Sequence, residues 1–257
     1  MHDKYQWFIK KVQERTGIDL ASYKRPQMER RINSLMRSQN VGNYEEYVQL
    51  LTKDPAQYRK FLEHITINVS EFFRNFSHWE VLQNQVLPDL LSRSSTLKIW
   101  SAGCSTGEEP YSLTITLLEK AASRFHKVIA TDIDRQVIER AQKGIYGSKA
   151  VSSVPEPWLK KYFLQNEGNF IIKDEVKKWI SFQQHDLLKD NYPSNCDLIL
   201  CRNVVIYFTE EAKTRLYQRF QQALKKGGVL FIGSTEQIFQ ARELGLRSIA
   251  TFFYQKI

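Results

Sequence analysis

One segment of the chain combines an apolar run, two glycines and two consecutive carboxylates. Residues 97–102 predict a strand, and Gly103 and Gly107 predict a tight turn after it. Glu108 and Glu109 then fall in the first turn of a predicted helix. Glycines let a ligand approach the backbone closely, as nucleotide-binding turns require. Because no Lys-Ser or Lys-Thr follows Gly107, this turn is not the phosphate-binding loop of nucleotide hydrolases.

The two carboxylates select among possible cofactors. A pyrophosphate at this helix N-terminus would face Glu108 and Glu109, so phosphate-bearing cofactors are disfavoured electrostatically. A cofactor with a cationic amino acid end and a nucleoside fits better, and S-adenosylmethionine has both and carries no phosphate. The alternative interpretation is that the glutamates only complement the helix dipole, an effect of under about 1 kcal/mol each.

Aspartates follow two further predicted strands. Asp132 comes directly after the run at 128–131, where doubly wound folds place an acid that accepts hydrogen bonds from ribose hydroxyls. Asp134 is predicted to cap the next helix. Asp186 follows the run at 180–183 and is predicted to face the adenine of a cofactor, with an ordinary loop aspartate as the alternative.

A fourth predicted strand, at 198–201, delivers Arg202, Asn203 and Tyr207 to the same edge of the sheet. In enzymes that methylate amino groups or bases, this place often carries Asn or Asp followed by Pro-Pro. No Pro-Pro follows the strand here, which disfavours methylation of a planar base.

The segment ahead of the first strand places Asn68, Ser70 and Arg74 beside Phe72 and Phe73. The polar groups and the arginine would suit a ligand contact. Equally, the two aromatic side chains could simply pack in a core while Arg74 is solvated. The residues alone leave both interpretations open.

The elements that must hold these residues alternate between strands and helices from residue 97 onward. Helices are predicted over 108–121, 134–143 and 209–225, and a fifth strand over 229–233. This alternation predicts an α/β fold with a doubly wound, Rossmann-like, mostly parallel sheet, which binds ligands at the carboxyl ends of its strands. A helix and a short hairpin at about 155–182 predict a small antiparallel insertion.

Residues 1–66 have helical periodicity throughout and predict an all-α N-terminal domain. Residues 67–95 are expected to form a linker and a connecting helix, and 96–257 the sheet domain. The candidate helices of the first domain are 3–15, 25–39, 43–52 and 55–66. In the second of them Arg30 and Arg37 lie opposite an apolar stripe, so this helix has a cationic face.

Composition narrows the class of protein. The chain has 257 residues, 42% of them hydrophobic, which excludes general disorder and supports one large core or two smaller ones. We expect a cytoplasmic protein, since no run suits a bilayer span or a signal peptide. The 3 cysteines form no C-x-x-C pair and the 5 histidines are scattered, so we expect neither a disulfide framework nor a metal site. The formal net charge of +9 is compatible with an acidic partner or substrate, and nucleic acid, anionic lipid and a carboxylate-rich protein surface all fit it.

Four segments together, 68–74, 103–112, 130–134 and 201–208, closely resemble the CheR family of chemoreceptor methyltransferases. The resemblance covers nearly the whole chain in order. It implies a class I methyltransferase domain with a small antiparallel subdomain, preceded by a helical domain. It also implies methyl transfer from S-adenosylmethionine to glutamate side chains on the cytoplasmic methylation helices of chemoreceptors. The products are glutamyl methyl esters and S-adenosylhomocysteine, for chemotactic adaptation.

The resemblance also implies a set of site residues. It implies that the cofactor is bound by Asn68, Ser70, Arg74, Glu108, Glu109, Asp132, Asp186, Leu187, Arg202 and Asn203. Arg74 and Tyr207 are implied to lie near the methyl group. Ser70 stands where the family usually has Thr, and Asp186 where some members have Asn, and both replacements keep a hydrogen-bonding group.

The chemistry of a glutamate acceptor agrees with these residues. A carboxylate is already ionised at neutral pH, so attack on a sulfonium methyl needs no general base. An arginine fork and a tyrosine hydroxyl are suitable clamps for the anion, so Arg74 and Tyr207 are the catalytic candidates.

The cationic helix fits docking to the acidic surface of a receptor, and the candidate docking residues are Arg25, Arg30, Arg31 and Arg37. A solvated helix face is the alternative. We expect a monomer that binds no nucleic acid and does not insert into a membrane. The competing functions are an RNA methyltransferase, which the basic charge favours, and an interaction module that only senses S-adenosylmethionine.

Overall fold

The computed structural model describes residues 3–122 and 124–257. Within these residues the chain divides into two compact units. The first contains the chain up to Asn68 together with the returning segment Tyr207–Arg215. The second contains Val69–Ile206 and Leu216–Ile257. No helix in this described part of the chain is long and apolar enough to cross a membrane.

The first unit is helical. Its helices are α1 (Lys4–Thr16), α2 (Arg25–Ser38), α3 (Tyr44–Lys53) and α4 (Pro55–Ile65). Side-chain caps define where they begin: Asn43 accepts from the backbone N–H of Glu46 at 2.8 Å, and Asp54 accepts from that of Ala56 at 2.8 Å. Gly17, at φ 78°, ends α1 in the left-handed conformation that favours glycine.

The core of the first unit forms where the apolar faces of these helices meet. Phe8, Ile32, Tyr47 and Phe61 are fully buried, and the rings of Phe8 and Tyr47 stack with centroids 5.9 Å apart. The predicted stripe on α2 is confirmed, because its buried residues are Met28, Ile32, Leu35 and Met36. Arg30 and Arg37 are exposed on the other side.

The returning segment is tied to the residues that precede α2. Tyr23 and Phe208 form an isolated antiparallel bridge, and their ring centroids are 4.7 Å apart. The N–H of Lys24 donates to the carbonyl oxygen of Tyr207 at 2.9 Å. These bonds fix Tyr207 beside the start of α2 within the first unit.

The second unit contains the strands and the remaining helices. The strands are β1 (Lys98–Ala102), β2 (Lys127–Asp132), β3 (Ile145–Gly147), β4 (Phe163–Asn166), β5 (Asn169–Ile172), β6 (Ile180–Gln184), β7 (Cys196–Cys201), β8 (Leu224–Ile232), β9 (Leu246–Ala250) and β10 (Phe253–Lys256). The helices are α5 (Phe76–Val81), α6 (Leu87–Arg93), α7 (Glu108–Ala121), α8 (Arg135–Lys143), α9 (Glu156–Tyr162), α10 (Asp174–Lys177) and α11 (Glu210–Ala223), which begins in the first unit.

The main sheet has the order β6-β2-β1-β7-β8-β10-β9. Pairing is parallel from β6 to β8, and β10 is antiparallel to both of its neighbours, β8 and β9. Trp100 of β1 lies opposite Ile129 of β2 and Ile199 of β7, and such continuous apolar strands are typical of a sheet covered on both faces. The predicted doubly wound sheet is confirmed.

This strand order creates a switch point at β1. The chain passes from β1 through β2 to β6 at one edge, and then returns to β7 on the other side of β1. The connections on the two sides of a switch point diverge and leave a crevice at the carboxyl ends of the strands. The predicted site residues after β1, β2 and β7 therefore converge at one edge.

A small antiparallel sheet has the order β3-β5-β4. The predicted helix and hairpin are present as α9, β4 and β5. Asn166 pairs with Asn169, and the turn residues Glu167 and Gly168 have φ of 46° and 79°, as a two-residue hairpin requires. The third strand, β3, lies ahead of the predicted 155–182 segment and was not predicted.

Other elements also differ from the sequence-based expectation. The connecting helix predicted within 67–95 is α5 and α6 joined by a π-helical turn at Leu82–Val86. Strands β9 and β10 were not predicted. Cys196 and Cys201 lie buried in β7, and Cys104 is buried in the turn after β1.

Candidate functional site

The glycine turn after β1 packs tightly against its neighbours. The N–H groups of Gly103 and Cys104 both donate to the carbonyl oxygen of Thr131, at 2.8 and 2.9 Å. Gly103 has φ 84°, and a Cβ there would collide with Cγ2 of Val204 in the loop after β7. Only glycine allows this close approach of the β1 and β7 loops.

A buried ion pair lies at the ends of β1 and β7. Nη1 of Arg202 is 3.5 Å from Oε2 of Glu109, and the hydroxyl of Ser101 donates to Oε1 of Glu109 at 2.7 Å. Arg202 also donates to the carbonyl oxygen of Arg74 at 2.7 Å, and its guanidinium lies 4.6 Å from the ring centroid of Phe231. Burial raises the pKa of Glu109 and lowers that of Arg202, and each opposes the shift of the other.

Glu108 belongs to a neighbouring cluster. Its side chain is 4% exposed and accepts from the hydroxyl of Thr106 at 2.7 Å. Burial raises the pKa of Glu108, and hydrogen bonds from Thr106 and Ser70 oppose this shift. The structure therefore brings the predicted residues Ser70 and Glu108 together.

Asp132 ends β2, as predicted, and is 8% exposed. Its carboxylate accepts from the N–H of Ser105 at 2.8 Å and from that of Asp134 at 3.1 Å. Burial raises the pKa of Asp132 to about 6. The prediction for Asp134 is confirmed, because its carboxylate caps α8 through the N–H of Gln136 at 2.8 Å.

The loop after β6 carries Asp186 and Leu187. One carboxylate oxygen of Asp186 accepts from the N–H of Leu188 at 2.8 Å. Burial raises the pKa of Asp186. Its carboxylate therefore shapes the loop that was predicted to face adenine.

Arg74 contributes its backbone to the buried cluster. Its carbonyl oxygen accepts from Nε1 of Trp79 at 3.1 Å as well as from Arg202. Its guanidinium donates to the carbonyl oxygen of Val69 at 3.3 Å and is only partly buried. The flanking residues Phe73 and Asn75 have φ of 52° and 58°, an unfavourable conformation for residues other than glycine.

The predicted residues Asn68 and Tyr207 belong to the first unit. Asn68 donates to the hydroxyl of Thr66 at 3.1 Å. Tyr207 lines a cavity of about 110 Å³ together with the cationic side chains of Lys24, Arg30 and Arg31.

The candidate docking arginines differ in their surroundings. Arg25 forms an ion pair with Glu29 at 3.0 Å. Arg31 donates its Nε to a carbonyl oxygen of α4 at 2.9 Å. Arg30 and Arg37 are the exposed members without an ion pair among the described residues, so they are the better candidates for contact with a partner.

Sequence reasoning missed Ser101, Arg219 and Glu236. Ser101 lies within β1 and gives no signal of its own. Arg219, in α11, donates to the carbonyl oxygen of Leu187 at 2.5 Å, and its guanidinium lies 3.9 Å from the ring centroid of Tyr192. Glu236 follows the end of β8. Asp132 was predicted as a site residue because an acid follows a strand there, and the same argument could have identified Glu236.

The donor set of the second unit fits a cationic nucleoside cofactor. Buried carboxylates stand at the carboxyl ends of β1 and β2, where they suit an ammonium group and ribose hydroxyls and repel a phosphate. Among the described residues no group of three His, Cys, Asp or Glu side chains is arranged to hold a metal ion. This fold and site define a class I methyltransferase that uses S-adenosylmethionine.

Comparisons with known proteins identify the family. The model described as "CheR methyltransferase, SAM binding domain" matches residues 68–251, and "CheR methyltransferase, all-alpha domain" matches residues 3–66. A chemotaxis protein methyltransferase of Listeria innocua is 42% identical over 253 residues, covering 98% of this chain and 97% of that protein. A protein of the same description from Borreliella burgdorferi is 34% identical, and the match covers 97% of this chain and 93% of that protein. One from Salmonella typhimurium is 33% identical, and the match covers 95% of this chain and 88% of that protein. The chain belongs to the CheR methyltransferase family.

Proposed function

We propose that the protein transfers the methyl group of S-adenosylmethionine to glutamate side-chain carboxylates of chemoreceptors in the cytoplasm, giving glutamyl methyl esters. The observation that carries this proposal is the cavity of the first unit. Tyr207, the predicted catalytic hydroxyl, shares it with Lys24, Arg30 and Arg31. Three cations around one small cavity favour an anionic acceptor.

Residues of the second unit support the cofactor half of the proposal. When bound, S-adenosylmethionine supplies a methyl group that its positive sulfonium makes electrophilic. The carboxylate of Asp132 would accept from ribose hydroxyls, and the carboxylates of Glu108 and Glu109 would attract the ammonium end. Arg202 holds Glu109 in place. Asp186 and Leu187 would line the adenine.

The acceptor chemistry requires orientation rather than proton removal. A glutamate carboxylate is ionised at neutral pH, so the reaction needs no general base. Arg74 and Tyr207 are each proposed to orient either the substrate carboxylate or the sulfonium end of the cofactor. Desolvation of the carboxylate between apolar side chains such as Met28 and Ile65, which line the same cavity as Tyr207, would increase its nucleophilicity.

The first experiment measures transfer of labelled methyl from S-adenosylmethionine to a purified chemoreceptor cytoplasmic domain. Mild alkali then hydrolyses esters and spares N-methyl groups. Alkali-labile label on the receptor is the expected result. Label on total RNA would instead support the RNA methyltransferase, and binding of S-adenosylhomocysteine without any label would support the sensing module.

Two variant pairs test the assigned residues. Arg74→Ala and Tyr207→Phe should each lower kcat at saturating cofactor, and wild-type turnover in both would refute their role. Reversing Arg30 and Arg37 to Glu should raise the KM for the receptor, more strongly at low salt because steering by exposed charges is screened by ions. Reversing Lys10 and Arg15, which are exposed on α1, is the matched control and should leave KM unchanged.

A further inference from the structure

One buried carboxylate has no part in the predicted site, yet it binds the backbone of that site. Glu236 lies four residues after the end of β8 and is 5% exposed. Its Oε2 accepts from the N–H of Gly233 at 2.5 Å and from that of Asn203 at 3.1 Å. Its Oε1 accepts from the N–H groups of Val204 and Val205, both at 3.1 Å.

Three of these four donors are consecutive residues of the segment that leaves β7. Successive N–H groups pointing to one side form a concavity that binds an anion, and here the anion is a side chain of the same protein. Asn203 has φ 59°, which persists only where the surroundings fix it. The bond from its own N–H to Glu236 is part of that constraint.

The space around Gly233 is too small for a side chain. A Cβ on Gly233 would lie 2.7 Å from the backbone nitrogen of Asn203 and 2.8 Å from Oε2 of Glu236. The turn after β8 and the segment after β7 are therefore in direct contact. A shift of the Glu236 carboxylate would break or strain its bond to the N–H of Asn203.

We infer that Glu236 is a positioning residue for the cofactor site, and that its carboxylate fixes the backbone that presents Arg202 and Asn203. The inference rests on the proposed function, which assigns those two residues to the cofactor. Glu236 acts through the backbone of its neighbours and is not itself in contact with the reacting atoms.

The test is Glu236→Gln in the full chain, because glutamine has the same shape. One acceptor oxygen becomes an NH2 donor, so two of the four N–H groups lose their acceptor and face a donor. The Kd for S-adenosylhomocysteine, measured by calorimetry, should rise about tenfold, because binding must then reorder the backbone of 203–205 without about one of the hydrogen bonds that held it in the free protein. The KM for the receptor should stay unchanged.

Two further variants keep the result interpretable. Glu243→Gln changes an exposed glutamate of the same region and should leave Kd and KM at wild-type values. Gly233→Ala introduces the Cβ that would press on Asn203 without changing any charge, and it should raise the Kd in the same way. If Glu236→Gln does not fold, the Gly233→Ala result decides.

A merely structural role would lower the folded fraction and leave the Kd of the folded protein unchanged. The Kd is therefore measured beside the near-ultraviolet circular dichroism and the thermal unfolding midpoint. An unchanged Kd in folded Glu236→Gln, or in folded Gly233→Ala if the first variant does not fold, overturns the inference. Wild-type protein that binds S-adenosylhomocysteine but methylates no receptor would refute the proposed function instead, and the Kd comparison would still be readable.

Discussion

Replacing Arg202 with Met should strongly destabilise the second unit, because it leaves the buried Glu109 carboxylate without its counter-charge. The side chains of Arg202 and Glu109 are 2% and 13% exposed. Removing one partner of a buried ion pair typically lowers the free energy of unfolding by about 3–5 kcal/mol.

Proton uptake by Glu109 limits this loss. In the variant the carboxyl group can become neutral in the folded state, at a cost set by the difference between the pH and its unfolded pKa of about 4.3. This cost is ~1.4 kcal/mol for each pH unit above the unfolded pKa. The loss in the free energy of unfolding therefore cannot exceed about 4 kcal/mol at pH 7 and about 2 kcal/mol at pH 5.5. The folded pKa of Glu109 is raised, so this loss is largest above that pKa and shrinks as the pH falls towards the unfolded value.

The assay is urea unfolding at pH 7 and pH 5.5, followed by tryptophan fluorescence. Trp79, Trp100, Trp158 and Trp179 lie in the second unit, so the signal reports mainly on the unit that contains the ion pair. Arg202→Met should lose about 3–4 kcal/mol at pH 7 and about 2 kcal/mol less at pH 5.5.

Two controls separate charge from packing. Combining Arg202→Met with Glu109→Gln removes the uncompensated charge and should recover about half of the loss. Arg135→Met breaks an ion pair with Glu139 whose side chains are 78% and 56% exposed, and surface changes of this kind stay within ~0.5 kcal/mol. A loss below ~1 kcal/mol at pH 7, or an equal loss at both pH values, would refute the reasoning.

Three further predictions concern the cofactor site and the first unit. Burial raises the pKa of Asp132 to about 6. Affinity for S-adenosylhomocysteine should therefore fall between pH 7 and pH 5 as the acceptor carboxylate is protonated, and Asp132→Asn should show a smaller fall over the same range by calorimetry, because only the other site carboxylates with a raised pKa remain. Arg219→Gln removes donors from the loop that carries Leu187 and should raise the Kd for S-adenosylhomocysteine several-fold, whereas Arg242→Gln, at an exposed position, should not. Asp54→Ala removes the cap of α4 and should lower the free energy of unfolding by ~1 kcal/mol, with a smaller loss for Asp54→Asn, as followed by Trp7 fluorescence.

The parts of the fold that sequence reasoning predicted are those with strong local signals. The predicted bounds of α7, 108–121, agree with the structure, because Gly107 at φ 96° and the carboxylates after it mark where the helix begins. The short hairpin predicted within 155–182 turns at 166–169, where the sequence Asn-Glu-Gly-Asn provides two residues with positive φ. Asp132 and Arg202 were identified because each stands at or next to the last residue of an apolar run.

The parts that were missed depend on distant pairing. Strand β3 has three residues and forms by pairing with β5, so that Tyr146 lies opposite Phe170 across an intervening helix. Strands β9 and β10 have only five and four residues, and neither alternates polar and apolar positions. Strand β10 is set by its register with β8, where Phe253 lies opposite Phe231. Such pairs are fixed by the packing of the whole unit and leave no periodicity that a local pattern can detect.

The site was predicted in part for the same reason. The residue types at the strand ends indicated the cofactor, but the partners that hold them come from elsewhere in the chain. Ser101 donates to Glu109 from within a strand, and Arg219 supports the 186–187 loop from α11. No spacing in the sequence relates Arg219 to Leu187, because the contact exists only once the helix packs beside the loop.

The charges of the two units support the proposed division of labour. In the second unit the buried carboxylates Glu108, Asp132 and Glu236 stand near strand ends, and Arg202 is the buried arginine among the described residues. The carboxylates outnumber the arginine, so this region attracts a ligand with ammonium and sulfonium charges. In the first unit the cavity beside Tyr207 is lined by cations and attracts a carboxylate. A nucleic acid would be attracted to the cationic cavity of the first unit, but the buried carboxylates of the second unit would not attract it. A cationic methyl donor and an anionic acceptor are the pair of substrates for which both signs are favourable.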